Sequence, residues 1–240
     1  MTHVIPVLFS ITTFARMPSL PRIREQIEAY IDRGDRIFAS TSFQGHSVPL
    51  LHIISTIDRD IPVYYVDTGY LFPETLIFRD RLGELLGLKF IGLRPSVPKS
   101  QQRNAEGELM YTWDPDRCCH INKVQPMERI LAEFDIWING VRGDQSATRK
   151  AMLIEQPASF GCTRYHPLLD WTARDIHNYR KEHDLPPHPL EAEGYLSLGC
   201  EPCTRKLMDG YDERTSRWFG LKKTECGLNT DLGANTKVEQ

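Results

Sequence analysis

The chain has 240 residues, 40% apolar and 25% charged, with 32 acidic against 29 basic residues for a net charge of −3. This composition excludes a disordered chain and a general polyanion binder, and no apolar run reaches the roughly 18 residues of a membrane span. The N-terminal MTHVIPVLFSITTFARMPSL carries neither a basic leading segment nor a small-residue cleavage site. No signal peptide is read there, and a cytoplasmic globular protein is expected, with neither nucleic acid nor membrane as partner.

Helix and strand signals then alternate. PRIREQIEAYID, from Pro21 to Asp32, spaces its apolar residues as a helix does, with a proline suited to the first turn. Arg36 to Ala39 reads as a short buried strand, and the loop Ser40 to Ser47 leads into a helix around VPLLHIIST with Pro49 in its first turn. IPVYYVDTG reads as a second strand, PETLIFRDRLGELLG as a helix opened by Pro73, and LKFIGL as a third strand. ERILAEF (helix), FDIWINGVR (strand), YHPLLDW (short strand) and TARDIHNYRKEH (helix) follow. This order predicts an α/β fold with a doubly wound, mostly parallel sheet. From about Tyr211 the periodicity fades, so residues 1–210 are expected to form one domain and 211–240 a mobile tail.

In such sheets ligands bind beyond the carboxyl ends of the strands. The loop STSFQGHS, with Ser40, Ser42 and Phe43, offers hydroxyls and backbone N–H groups to an anion at a helix start. It lacks the Walker lysine and the three-glycine dinucleotide fingerprint, and a simple helix cap fits it as well. In VDTGYLFPET, Asp67, Thr68 and Gly69 form either a ligand-facing loop or an ordinary turn.

Six cysteines fall at 118, 119, 162, 200, 203 and 226. Adjacent cysteines cannot readily bond each other, so a metal or redox site is expected. Cys118-Cys119 and the CxxC pair Cys200 and Cys203 are two close pairs of soft donors, compatible with zinc or with iron–sulfur. Adjacency is awkward around a single tetrahedral ion and easier at the corners of a [4Fe–4S] cube. Cys226 stands apart in KKTECGLN, after Lys222 and Lys223, and is either an incidental tail cysteine or, with cations and a glycine beside it, a candidate thiolate nucleophile. Cys162 lacks such a setting and is expected to be a small buried or half-buried residue.

Seven stretches in order, STSFQGHSVPLLHI, VDTGYLFPET, CCHINKVQPM, WINGVRGDQSATR, YHPLLDWTARDI, GYLSLGCEPCTR and KKTECGLN, resemble the phosphoadenylyl/adenylyl sulfate reductase family over nearly the whole chain. The resemblance implies an adenine nucleotide α-hydrolase-like fold. The branch with both cysteine pairs looks like the adenylyl sulfate (APS) reductases that carry one [4Fe–4S] cluster per chain on the residues matching Cys118, Cys119, Cys200 and Cys203. The branch specific for the 3′-phosphorylated substrate (PAPS) lacks that quartet. The residue matching Cys226 is the catalytic cysteine of both. The implied substrate-binding set is the two loops above together with Lys123, Arg142, Arg214 and Arg217.

The implied reaction reduces APS to sulfite and AMP through an S-sulfocysteine on Cys226, which an external thioredoxin or glutaredoxin then releases. Only 14 residues follow Cys226, too few for a fused reductant domain. A homo-oligomer is expected. A PAPS or dual-specificity reductase is the main alternative; an ATP pyrophosphatase would require a truer SGGxDS loop, and a non-catalytic iron–sulfur or zinc sensor would leave the nucleotide-like loops unused. The chain departs from the family at Asn122, where arginine is usual, at Gly143, where a second arginine is common, and at Asn229, in place of histidine. Gln44 and the usually acidic position of His46 also differ.

Overall fold

The computed structural model describes residues 20–210, 213–221, 223–230 and 232, with the side chain of Glu213 excepted. The N-terminal segment read for a signal peptide, and Lys222, lie outside them. The elements are α1 (Leu20–Asp32), β1 (Ile37–Thr41), α2 (Val48–Ile57), β2 (Val63–Val66), α3 (Pro73–Leu86) and β3 (Phe90–Leu93). There follow α4 (Met110–Trp113), α5 (Pro115–Cys119), α6 (Gln125–Leu131), β4 (Ile136–Asn139), α7 (Ala147–Lys150), β5 (Glu155–Pro157), β6 (Thr163–Tyr165), α8 (Ala173–Glu182) and α9 (Gly227–Thr230). The six strands lie in the order β3-β2-β1-β4-β6-β5, parallel except for the edge strand β5. Crossing from β3-β2-β1 outward to β4 reverses the winding direction, so the ends of β1 and β4 flank the switch point where ligands gather.

Apolar strand residues account for this arrangement. Phe38, Ala39, Val63 and Ile138 are almost wholly excluded from water, as expected for a sheet covered on both faces. One cluster packs α1, α2, α3 and α8 on one face through Ile27, Leu51, Ile54, Leu82 and Ile176. A second, on the other face, joins Phe38 and Trp137 to Met127 and Leu131 of α6, and takes in Cys162 and Leu232. Cys162 is thus the buried residue that the sequence suggested.

Two expectations change. YHPLLDW contributes only Tyr165 to a strand, because Pro167 has no N–H to continue the ladder and His166 to Trp171 turn away instead. The segment before ERILAEF is helical too: α5 passes through a π-turn, His120–Val124, into α6. Asp114 caps α5 by accepting from Arg117 N–H at 3.0 Å. Such wide turns recur at functional sites, and this one carries Lys123 just beyond the cysteine pair.

Among the described residues no helix is long and apolar enough to cross a membrane. Residues 213–221 and 223–230, expected to belong to a mobile tail, are seated against the strand ends. Trp218 N–H donates to Cys203 O at 3.0 Å and Arg205 N–H to Ser216 O at 3.0 Å, which lashes this segment to the CxxC loop.

Candidate active site

The loops after β1, β2 and β4 enclose one cavity, closed on its open side by the C-terminal segment. The β1 loop is shaped by Phe43, whose φ of 57° is left-handed and whose ring is buried against Tyr65 and Phe90 at centroid distances of 5.2 and 4.9 Å. A bulky residue adopts that backbone only where its surroundings enforce it. Here the buried ring pins the turn so that Ser40 and Ser42 face the cavity. Ser40 Oγ accepts from Trp137 Nε1–H at 2.7 Å.

Most of the expected binding residues meet there. Ser40, Ser42, Phe43, Thr68, Lys123, Arg214, Arg217 and Cys226 line the cavity. Asp67, Gly69 and Arg142 do not. Asp67 accepts instead from Arg94 Nε at 2.9 Å, and Gly69 serves the turn with a φ of +71°. Arg142 lines a neighbouring cleft, where its buried guanidinium meets Asp144 at 2.9 Å and His46 Nδ1 at 2.7 Å. Its charge is therefore already matched, and the unusual His46 is its partner.

Two cavity arginines were not singled out from the sequence: Arg149 on α7 and Arg164 on β6. Arg149 lies inside the GDQSATR stretch, so a signal existed; Arg164 gave none, being one arginine in a three-residue strand. Burial lowers the pKa of Arg164 to about 9, with Arg149 repelling it, and lowers that of Arg214 to about 10 for the same two reasons. Burial also lowers Arg217, against the pull of the nearby thiols. Lys123 is buried as well, yet the charges of Cys200, Cys226 and Cys119 outweigh that penalty and hold its ammonium. Five cations lining one pocket is costly unless anions arrive.

Cys226 is half-buried at the start of α9 and lines the same cavity. Its N–H donates to Glu225 Oε1 at 3.0 Å. Lys223, expected to activate the thiol, is paired with Asp116 and also lies within electrostatic reach of Cys226. The cations that share the cavity with the thiol are Lys123, Arg149, Arg164, Arg214 and Arg217.

Cys118, Cys119, Cys200 and Cys203 line one small adjoining cavity, and Cys200 and Lys123 line both. Burial, and then the neighbouring Cys119, Cys200 and Cys203, push the Cys118 thiol up to about 12. Three buried thiols and the half-buried Cys203 crowd this pocket, and burial raises the pKa values of Cys118, Cys119 and Cys203, a penalty that a soft metal centre larger than one ion would relieve. Among the described residues, no three His, Cys, Asp or Glu side chains gather closely enough to hold a single ion. The thiols receive polar contacts: Thr68 Oγ1 lies 3.3 Å from Cys200 Sγ, and Asn122 Nδ2 lies 3.5 Å from Cys118 Sγ. Asn122, the family departure, is buried in a reciprocal amide pair with Gln102 at 2.6 and 2.9 Å. Gly199 leaves space for Arg217; a Cβ there would lie 2.1 Å from its Nη2, while Arg217 Nη1 donates to Leu198 O at 2.6 Å.

The phosphoadenosine phosphosulfate reductase domain family matches residues 36–206. The chain belongs to this family. It is 37% identical over 205 residues to the adenosine 5′-phosphosulfate reductase of Halalkalibacterium halodurans, covering 84% of this chain and 88% of that one. It is 40% identical over 201 residues to the phosphoadenosine 5′-phosphosulfate reductase of Alkalilimnicola ehrlichii, covering 81% and 80%. The fold is that of the Candida auris phosphoadenylyl-sulfate reductase, with a TM-score of 0.64, 20% identity, and coverage of 75% of this chain and 88% of that one. Relatives at similar identity thus bear the names of both substrates.

Proposed function

We propose that this protein is an adenylyl sulfate reductase, which converts APS to sulfite and AMP using an external dithiol. The observation that carries this reading is the half-buried Cys226 sharing one cavity with five cationic side chains, beside a pocket of four further cysteines. The sulfonucleotide is an anion with a good leaving group. Arg149, Arg164, Arg214, Arg217 and Lys123 supply the positive charge that binds it and stabilises the charge developing on AMP.

The Cys226 thiolate attacks the sulfur of the sulfo group. A sulfur–sulfur bond forms, the sulfur–oxygen bond to the nucleotide breaks, and AMP leaves with that electron pair. A thiol of thioredoxin or glutaredoxin then attacks Cys226 Sγ. Sulfite departs with the electrons of the sulfur–sulfur bond, and the second thiol of the carrier resolves the mixed disulfide. Sulfur is reduced from the sulfate to the sulfite level, and one dithiol is oxidised to a disulfide. Access by the carrier requires the tail segment, here docked, to open; such gating motions are common in enzymes. Reduced carriers of this kind suit a cytoplasmic location, and the homo-oligomer belongs to the same reading.

Cys118, Cys119, Cys200 and Cys203 would hold a [4Fe–4S] cluster, whose edges span more than a single ion does. With its four thiolates such a cluster would carry net negative charge, which Lys123, lining both cavities, would offset. The dithiol already balances the redox equation, so this chain's own groups and the carrier suffice for every step. The quartet favours APS over PAPS through the family branch that it resembles. Sulfite release from APS and from PAPS, each with thioredoxin supplied, tests the reading: faster turnover of APS supports it, and no sulfite from either removes it.

A further inference from the structure

Glu225 is the only carboxylate among the described residues that both touches the cavity arginines and adjoins the nucleophile. It is 6% exposed, and both oxygens are occupied. Oε2 accepts from Arg149 Nε at 3.0 Å and from Ser146 Oγ at 3.2 Å. Oε1 accepts from Arg149 Nη2 and Arg214 Nη2, each at 2.9 Å, and from Asn229 Nδ2 at 3.1 Å. Arg149 belongs to α7, in the body of the fold, and Arg214 and Glu225 to the C-terminal segment. The far end of Asn229 is held in turn by Arg164 Nη2 at 2.5 Å.

We propose that Glu225 is a positioning residue, a latch whose carboxylate ties the C-terminal segment to Arg149 and so seats Cys226 at the cavity while orienting Arg149 and Arg214 toward it. A role as general base for the thiol does not fit. Every acceptor of the carboxylate faces a donor, and Arg149 and Arg214, against the cost of burial, hold its pKa at about 2. Such a group keeps its charge and takes no proton from Cys226. What it does is mechanical: charge-assisted hydrogen bonds to a planar guanidinium fix direction as well as distance. Asn229 completes the clasp with one donor to Glu225 and one acceptor for Arg164, and both a donor and an acceptor are needed at that place. That Cys226 is a nucleophile rests on the function proposed above; the latch itself is measurable without turnover.

The test uses the full-length protein with Glu225→Gln, which keeps the shape and removes the charge. Modification of Cys226 by iodoacetamide, read by mass on the tail peptide with buried Cys162 as internal reference, should quicken by about tenfold or more, since breaking a charge-assisted hydrogen bond has an effect of that order. Limited proteolysis between residues 204 and 214 should quicken in parallel. Glu225→Asp keeps the charge but cannot span both arginines, and should fall between. With APS and no reductant, the variant should form the S-sulfo adduct at least tenfold more slowly, with AMP affinity changed less than threefold. Unchanged alkylation and proteolysis in both variants would overturn the latch. An absent adduct in the unmutated protein, with alkylation still quickened in the variant, would remove the proposed function and keep the latch.

Discussion

Thr68 Oγ1 lies 3.3 Å from Cys200 Sγ and accepts from Tyr70 N–H at 3.2 Å. One buried hydroxyl thus joins a cavity-lining loop to the thiol quartet, and with its acceptor side taken by Tyr70 its proton is free to face the sulfur. Thr68→Val, nearly equal in volume, removes that interaction and leaves the Tyr70 N–H without its acceptor. A net loss of about 1 kcal/mol is expected, and iron bound by the quartet should pass to a chelator several-fold faster than from the unmutated protein. Equal rates would show that the hydroxyl does not support Cys200.

The quartet itself sets the second expectation. Anaerobically purified protein should be brown and hold about four irons per chain, with matching sulfide. Cys226→Ser lies outside that pocket, so it should keep the iron and bind nucleotide, yet form no S-sulfo adduct, because a serine hydroxyl is scarcely ionised near neutrality. Mass spectrometry of the unmutated protein with APS and no carrier should place one sulfo group on the tail peptide. Stoichiometric zinc without sulfide would refute the cluster, and an adduct on Cys162 would refute the nucleophile.

Stability should fall between about pH 6.5 and pH 4. His188 Nδ1 accepts from Leu190 N–H at 3.2 Å, so Nε2 carries the proton and donates to Thr75 Oγ1 at 3.0 Å. His166 Nδ1–H donates to Leu153 O at 2.7 Å. Burial lowers both pKa values to about 4, with Arg164 adding to the effect on His166. Because the folded values lie below the unfolded one, near 6.5, the unfolded chain takes up more protons as the pH drops. The stability from keeping these rings neutral is complete above about 6.5 and is lost as the pH falls to about 4, by about 3 kcal/mol for each ring. Glu225, with a folded value of about 2, contributes in the opposite range: its share is intact above the usual carboxylate pKa and is lost only as the pH falls from there toward 2. Melting temperature should therefore decline from pH 7 to pH 5, and His188→Gln should decline less steeply. An identical slope would exclude His188.

The alternation of strand and helix was legible because its punctuation is chemical. Pro73 opens α3, and Gly87, at a φ of 66°, closes it. The cysteine pairs were legible because soft donors are rare. Arg142 misled, because its place in the GVRGDQS string says nothing of Asp144, two residues on, which turns it into another cleft. Arg149, in the same string, faces the cavity because Ser146 caps α7 and directs it there. Arg164 could be found only once β4 and β6 were paired and its guanidinium lay 4.1 Å over the Trp137 ring. Local spacing reports which face of an element a residue occupies, whereas membership of a site depends on which strands become neighbours.

Substrate choice gives the last expectation. The family resemblance implies a second arginine where this chain has Gly143, and the absence of that side chain near a 3′-phosphate would favour APS over PAPS. The backbone at Gly143 leaves little room for such a side chain. Gly143 lines the neighbouring cleft rather than the Cys226 cavity, its N–H donates to Leu169 O at 2.7 Å, and a Cβ there would lie 3.1 Å from that same oxygen. An arginine at 143 would crowd this backbone hydrogen bond and add a charge beside Arg142 and Lys150, which line the same cleft. Gly143→Arg should therefore leave the ratio of kcat/KM for APS and PAPS within about threefold, while lowering the melting temperature slightly. Preference for APS in the unmutated protein then rests on the cavity's own groups. A PAPS 3′-phosphate adds about two negative charges that the same five cavity cations would have to meet besides the sulfonucleotide's own, and two of them, Arg149 and Arg214, are already shared with Glu225. A large gain toward PAPS in Gly143→Arg would show that the two clefts act as one site; preference for PAPS without any substitution would reverse the substrate assignment and leave the thiol chemistry of Cys226 in place.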